Sequence, residues 1–309
     1  MTNRRDFLKT AAGLTGLLAV EACVPQTKTK HVVNSAYAMC SDKKYDIDER
    51  CVTSRETLDD MINSAYVVKR YVKYDYSPLP KSLKDKVMRV YEDGFIPRGQ
   101  GSSVMLKDNY LLTAHHVVGI GKPKGKLIRT GLLSYVFLKP LARKYTITIG
   151  ANEYPLEVVK KGKNDCALLR AKDVPDVYEF PKVKFGKLRD VSPGDMVYVV
   201  GNTLGHNIQF KKGSVTRIGE FSDALLRYAR KRLPREKYNV LLSGKHIFID
   251  AGVSNGDSGG PVYGLRDGKP ELYGLTVLGD KRAISVSLAL SIDSVVKDLG
   301  DELKKHKLM

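Results

Sequence analysis

The chain has 309 residues, 42% of them hydrophobic, and no tryptophan. This is enough to bury one large core or two modest ones; there is no low-complexity tract, and no internal repeat is strong enough to name. The formal net charge of +18 raises three partners: nucleic acid, an anionic membrane surface and an acidic cell-wall polymer. Lys and Arg are scattered and no nucleic-acid motif accompanies them, so no specific nucleic acid is expected. A solvated basic surface is the plainer reading, and an anionic membrane or cell-wall surface stays open.

Residues 1–23 read as a targeting segment. Asn3-Arg4-Arg5-Asp6-Phe7-Leu8-Lys9 resembles the twin-arginine export signal, a receptor-read address. The apolar stretch Ala11 to Val20 follows and is too short to span a bilayer comfortably. Val20-Glu21-Ala22-Cys23 resembles a bacterial lipobox, which would make Cys23 the acylated residue. Glu21 departs from the small residue usual there, and cleavage after Ala36-Tyr37-Ala38 is the alternative. Either reading implies an extracytoplasmic place, periplasmic or on the cell envelope.

Residues 24–60 read as a polar linker and a short helix. Cys40 and Cys51 bracket a polar loop. In an oxidising compartment a disulfide between them would contribute about 3 kcal/mol. Thr53-Ser54-Arg55-Glu56 suits a capping box opening a helix over Leu58, Met61, Ile62 and Ala65. Tyr66 to Lys73 reads as a strand from its β-branched and aromatic content. Ser82 to Asp93, closed by Gly94, reads as another short helix.

From Gly99 onward short strands dominate. The pattern predicts strands at Ser102–Lys107, Tyr110–Ala114, Tyr145–Ile149, Leu156–Lys160, Asp165–Ala171, Met196–Gly201, Gly213–Ile218, His246–Asp250, Pro261–Leu265, Glu271–Leu278 and Ala283–Ala289. Turn signals such as Ser192-Pro193-Gly194-Asp195 and Arg266-Asp267-Gly268-Lys269 separate them. Many short strands at such spacing argue an all-β barrel or sandwich. Ile292 to Lys305 reads as a terminal helix, and no PDZ domain is expected after it. Two Lys/Arg-rich insertions interrupt the pattern. Gly121 to Lys144 has no assignment. Phe221 to Lys237 reads as a basic amphipathic helix, either packed and solvated or docking an acidic partner or headgroups.

Three stretches carry chemistry. Gly256-Asp257-Ser258-Gly259-Gly260-Pro261 suits an exposed, activated serine. Gly256 lets the backbone turn sharply, so the amides of Gly256 and Ser258 would face one small space fit for an oxyanion. A serine nucleophile needs a base, and the base an orienting group. Thr113-Ala114-His115-His116-Val117 offers the base. Asn164-Asp165-Cys166-Ala167-Leu168-Leu169 offers the acid. Cys166, inside an apolar run, reads as a buried small hydrophobe. No metal-ligand spacing is present, and no cofactor is expected.

In this order the three stretches resemble the chymotrypsin-like serine proteases, with T-A-x-H, D-x-A-L-L and G-D-S-G-G-P. The resemblance assigns His116 as general base, Asp165 as its partner and Ser258 as nucleophile. It narrows to the HtrA/Deg-like proteases, since Phe248 to Ser258 looks like I-Q-T-D-A-A-I-N-P-G-N-S. Val200-Gly201-Asn202-Thr203-Leu204-Gly205 is similar to I-G-N-P-x-G, and Ser214-Val215-Thr216-Arg217 is similar to S-V-T-x. The matches run in order from about Gly99 to Asp293.

The resemblance implies two six-stranded antiparallel β-barrels with short helical insertions and a C-terminal helix. The protease domain would span 61–309, with the first barrel at about 61–188 and the second at about 189–309. The expected function is an exported serine endopeptidase acting on polypeptides. The rival is a protease-fold binding protein whose basic surface holds an anionic partner. Trypsin-like enzymes carry an aspartate six residues before the serine, at the base of the specificity pocket. That position here is Gly252. With Val253, Val277 and Gly279 it implies an uncharged pocket, with Asp280 at its mouth. Trypsin-type zymogens also pair the aspartate before the serine with a freed terminus. Asp257 stands in that place, and a Lys or Arg from within the chain is expected to neutralise it.

Overall fold

The computed structural model describes residues 54–120, 125–130, 134–221, 231, 243–279 and 287–309. Residues 1–53, with Cys23, Cys40 and Cys51, lie outside these, as do Asp280 and the basic stretch after Phe221 apart from Lys231; the expectations of an export signal, a lipidation site and a disulfide fall there.

Ser54 caps helix α1 (Arg55–Asn63), its hydroxyl accepting from the Thr57 amide at 3.2 Å. The cap therefore sits one residue later than the capping-box pattern predicts. Strand β1 (Ala65–Tyr74) leads to helix α2 (Lys81–Val90), then β2 (Phe95–Met105), β3 (Tyr110–Thr113) and the four-residue helix α3 (His115–Val118). Next come β4 (Lys126–Arg129), β5 (Tyr135–Leu138), β6 (Pro140–Ile149), β7 (Asn152–Lys161) and β8 (Ala167–Ala171). β1, β2, β3, β8, β7 and β6 pair in that order and close a barrel. All its pairs are antiparallel.

The second half holds β9 (Lys184–Phe185), β10 (Met196–Gly201), β11 (Gln209–Gly219), β12 (His246–Ile249), β13 (Pro261–Arg266), β14 (Lys269–Gly279) and β15 (Ser287–Ser291). The order β13-β10-β11-β12-β15-β14 closes through a β13–β14 pairing, so this too is a six-stranded antiparallel barrel. β9 adds to β14 in parallel. Closure removes free sheet edges. Helix α4 (Ile292–Lys305) ends the chain's regular structure. Ser291 caps it, and Ile292, Val295, Leu299 and Leu303 are buried along one face.

Apolar side chains fill both barrel cores, and where a strand is covered on both sides, as β3 is, consecutive residues are buried. Val68, Leu111, Leu112, Ile147, Leu168 and Leu169 are wholly buried in the first. Val199, Ile247, Ile249 and Val262 fill the second. Each such side chain is worth about 1.5–3 kcal/mol on burial. Two sequence expectations shift. Asp165 lies before β8 rather than in it, because Cys166 N–H bonds to Asn164 O and Gly162 N–H to Cys166 O, both at 2.8 Å, closing a tight turn. The unassigned insertion after α3 contains the hairpin β4–β5, which the periodicity of two four-residue strands is too short to reveal.

Candidate active site

The short helix α3 follows directly from β3, whose four residues are all buried. A strand fixed on both faces delivers its next residues to a defined place. His116 stands at the second position of α3, with its side chain 27% exposed. Asp165 is fully buried. Its Oδ1 accepts the His116 amide at 2.9 Å, and its Oδ2 accepts from His116 Nδ1 at 2.6 Å. A carboxylate acceptor puts the imidazole proton on Nδ1 and leaves Nε2 as an acceptor. His115 departs from this line. Burial, and then the nearby Lys161, pulls its basicity below the ordinary value, and its Nδ1 is buried with no hydrogen-bond partner among the described residues. The structure thus pairs His116, not His115, with the acid.

The turn carrying Asp165 is held from the other half of the chain. Asp298 of α4 accepts the Asn164 amide at 2.7 Å. Cys166 is buried, and burial, followed by the charge of Asp298, pushes its thiol up, away from the reactive thiolate form.

Ser258 is half-buried on the loop before β13. Its carbonyl accepts the Ser102 amide at 2.7 Å. The next residue, Gly259, has φ +85°, and a Cβ there would lie 2.2 Å from Thr113 Oγ1 and 2.7 Å from the Ala114 amide. Only glycine permits so close an approach to the backbone just ahead of His115 and His116. Gly256, at φ +99°, presses equally hard on the Asn202 carbonyl, where a Cβ would be 2.0 Å away. Asn202 N–H donates to Ser102 Oγ at 2.8 Å, and Ser102 Oγ donates to Gly256 O at 2.7 Å. Ser102 therefore ties the Val200–Asn202 strand end to the serine loop. Among the described residues, the amides of Gly256 and Ser258 donate to no backbone carbonyl, whereas Asp257 N–H between them donates to Ser254 O at 3.2 Å.

Asp257 is fully buried and densely satisfied. Lys211 Nζ donates to Oδ2 at 2.5 Å, Ser254 N–H to Oδ2 at 2.7 Å and Thr203 Oγ1 to Oδ1 at 2.8 Å. Lys211 is the internal cation that the buried carboxylate requires.

A second set of side chains grips α3 from behind. A four-residue helix cannot satisfy its own carbonyls. Arg70 Nη1 donates to His116 O at 3.1 Å and Val117 O at 3.0 Å. Tyr145 OH donates to Val118 O at 2.7 Å. Arg143 Nη1 and Lys161 Nζ donate to Gly119 O at 3.1 and 3.4 Å. Arg70 and Tyr145 are direct cross-strand neighbours on β1 and β6.

Of the expected pocket residues, Val277 is buried, Val253 half-buried and Gly252 exposed. A Cβ on Gly252 would meet nothing within 4 Å among the described residues. Val253 N–H donates to Ser287 Oγ at 3.1 Å, and that hydroxyl donates to Ala251 O at 2.7 Å. Gly279 ends β14. Among the described residues, no group of three or more His, Cys, Asp or Glu is arranged to hold a metal ion. No helix there is long and apolar enough to cross a membrane.

Comparison with known proteins agrees with this architecture. Two relatives are both described as a probable periplasmic serine endoprotease, DegP-like. That of Rhizobium meliloti (strain 1021) is 28% identical over 213 residues, covering 68% of this chain and 34% of the relative. That of Pseudomonas fluorescens is 26% identical over 242 residues, covering 74% and 42%. The chain thus spans about a third to two-fifths of the length of these relatives. Among solved structures, the active form of the Rv3671c protease from M. tuberculosis superposes with a TM-score of 0.52 at 17% identity, covering 83% of this chain and 87% of that one. The HtrA-type protease AlgW with tripeptide gives 0.51 at 16% identity, covering 82% and 64%. At such identity these two speak for the fold alone. Residues 101–275, more than half of the chain and reaching from β2 to β14, match the family described as Trypsin-like peptidase domain, and the chain belongs to it.

Proposed function

We propose that the chain is a serine endopeptidase using His116, Asp165 and Ser258. The observation that carries this reading is the 2.6 Å bond from His116 Nδ1 to the buried Asp165, with the Ser258 loop packed against the start of the same helix. Ser258 Oγ attacks the scissile carbonyl carbon while its proton passes to His116 Nε2. The amides of Gly256 and Ser258 receive the oxyanion. Each such donor is worth about 10²–10³ in rate. Collapse breaks the C–N bond, and His116 returns the proton to the leaving amine. Water then repeats the sequence on the acyl-enzyme. Asp165 holds the imidazole tautomer and balances the charge that forms. No metal or organic cofactor enters this chemistry.

Substrates in this reading are extended polypeptides cut after apolar residues, in a pocket formed by Gly252, Val253, Val277 and Gly279. Residues 1–23 act as a twin-arginine-type signal, with Cys23 as lipidation site and Cys40–Cys51 as a disulfide. Residues 24–60 link that signal to a protease domain at 61–309. The periplasmic descriptions of the two relatives support an extracytoplasmic place. Replacing Arg4 and Arg5 with Lys tests the export route: the precursor should stay in the cytoplasm.

A fluorophosphonate probe tests the chemistry. It should label the wild-type chain and not Ser258→Ala. A chain that stays unlabelled while folded would favour the rival, a protease-fold binding protein.

A further inference from the structure

The hairpin β4–β5 stands on a small core of its own. Val72, Tyr74, Tyr76, Leu79 and Leu138 are buried there, with Ile128 and Val136 packed onto them. That accounts for one face of the hairpin. Strict alternation sends the neighbouring residues to the other face. Leu127 is 61% exposed, and Tyr135 and Phe137 are each 57% exposed. Leu127 and Phe137 are direct cross-strand partners, and Tyr135 pairs with Arg129. Leu141, just beyond the hairpin at the start of β6, is 62% exposed. Large apolar side chains grouped in this way mark an interaction surface, unlike a single exposed leucine.

The sequence that builds the hairpin is basic: its described residues include Lys126 and Arg129, Lys139 follows them, and no Asp or Glu falls between Gly121 and Lys144. Further along, Lys144 is paired with Asp93 and Arg143 is held on the Gly119 carbonyl. A protein partner with an ordinary mixed surface would bring cations against this rim. An anionic bilayer supplies what both features require: acyl chains for Leu127, Tyr135 and Phe137, and phosphate groups for the lysines and arginines. Their long stems let the charged ends reach headgroups while the apolar residues enter.

We propose that the outer face of the β4–β5 hairpin docks the protein onto an anionic membrane surface. This does not rest on the peptidase reading, since none of these residues belongs to the candidate active site.

The absence of tryptophan offers a direct test. Phe137→Trp, made in the full chain with Cys23→Ser so that no acyl group contributes, installs a single reporter on the exposed face. Its emission should shift to the blue with phosphatidylglycerol-containing vesicles and stay unchanged with phosphatidylcholine alone. The shift should fade at high salt, as surface electrostatics are screened. Adding Leu127→Ser should weaken the vesicle response by about tenfold, with thermal midpoint and peptidase activity unchanged. Equal responses to neutral and anionic vesicles, or none to either, would overturn the proposal. So would an undiminished response in the Leu127→Ser background. If the reporter ignores vesicles and responds to polyglutamate, the face is an acidic-protein site and the membrane proposal fails.

Discussion

Lys211 and Asp257 form a buried ion pair beneath the serine loop, with Nζ 2.5 Å from Oδ2 and the lysine side chain only 16% exposed. Asp257 immediately precedes Ser258, so whatever holds this carboxylate also holds the turn that presents Ser258. Lys211 comes from β11, in the body of the second barrel. The pair therefore forms on folding and needs no cut within the chain. Lys211→Met should leave an uncompensated buried charge, at a cost of about 3–5 kcal/mol. Urea denaturation should show that loss, and fluorophosphonate labelling should slow sharply. Full activity in the folded variant, or activity in the wild type only after a cut within residues 52–101, would reject this role.

The adjacent histidines should separate cleanly. His116→Ala removes the side chain facing Asp165 and should abolish turnover by several orders of magnitude. His115→Ala should keep most of it, because the imidazole bonded to Asp165 is that of His116. Steady-state kinetics with one peptide decide the matter, and the reverse order would move the general base by one residue.

His115 also predicts a pH effect on stability. Burial depresses its basicity in the folded chain. Above its unfolded value of about 6.5 the imidazole is neutral in both states, and stability is at its full level. As pH falls below that value, the unfolded chain takes up the proton first, so stability declines until the folded value is passed. His115→Gln should flatten this decline. Urea midpoints measured from neutral to mildly acidic pH test it, and identical slopes in the two proteins would exclude the effect.

Arg70 should act as a positioning residue. Its guanidinium bridges the carbonyls of His116 and Val117, and an imidazole misplaced by about an ångström can cost a hundredfold in rate. Arg70→Gln should lower kcat about tenfold or more, with KM nearly constant, when rates are normalised to sites titrated by fluorophosphonate. Arg70→Lys, which keeps one donor and the charge, should recover part of the loss. A normal kcat per titrated site in Arg70→Gln would reduce Arg70 to a purely structural part.

The proposed pocket residues predict what is cut. Gly252 carries no charge, Val253 and Val277 are apolar, and a buried substrate cation there would lack a partner at a cost of several kcal/mol. An aliphatic side chain would gain about 1.5–3 kcal/mol. Cleavage should follow Val, Leu, Ile, Ala or Met in a peptide library. Dominance of Lys or Arg before the cut would refute this and point to Asp280.

The local chemistry was legible in the sequence. Gly256 and Gly259 stand where only glycine fits, and the many short strands from β2 to β15 argue a barrel or sandwich, the double barrel itself being implied by the family resemblance. Asp165 and Ser258 could be named because each sits in a short stretch whose residue types already suit one task, whereas the choice of His116 over His115 came from the family resemblance. The need for a cation beside Asp257 was also legible, since a buried carboxylate demands one wherever the partner lies. Its identity was not. Lys211 is 46 residues away, Arg70 is 46 residues before His116, Ser102 is 100 before Asn202, and Asp298 is 134 beyond Asn164. Nothing in their own neighbourhoods distinguishes them from the chain's other lysines, arginines, serines and aspartates. Barrel closure and strand register decide which of them meet, because a strand shifted by one residue turns every side chain to the opposite face. The same holds for the β4–β5 hairpin. Its composition is plain in the sequence, but only the core beneath it determines that Ile128 and Val136 turn inward and leave Leu127, Tyr135 and Phe137 facing out.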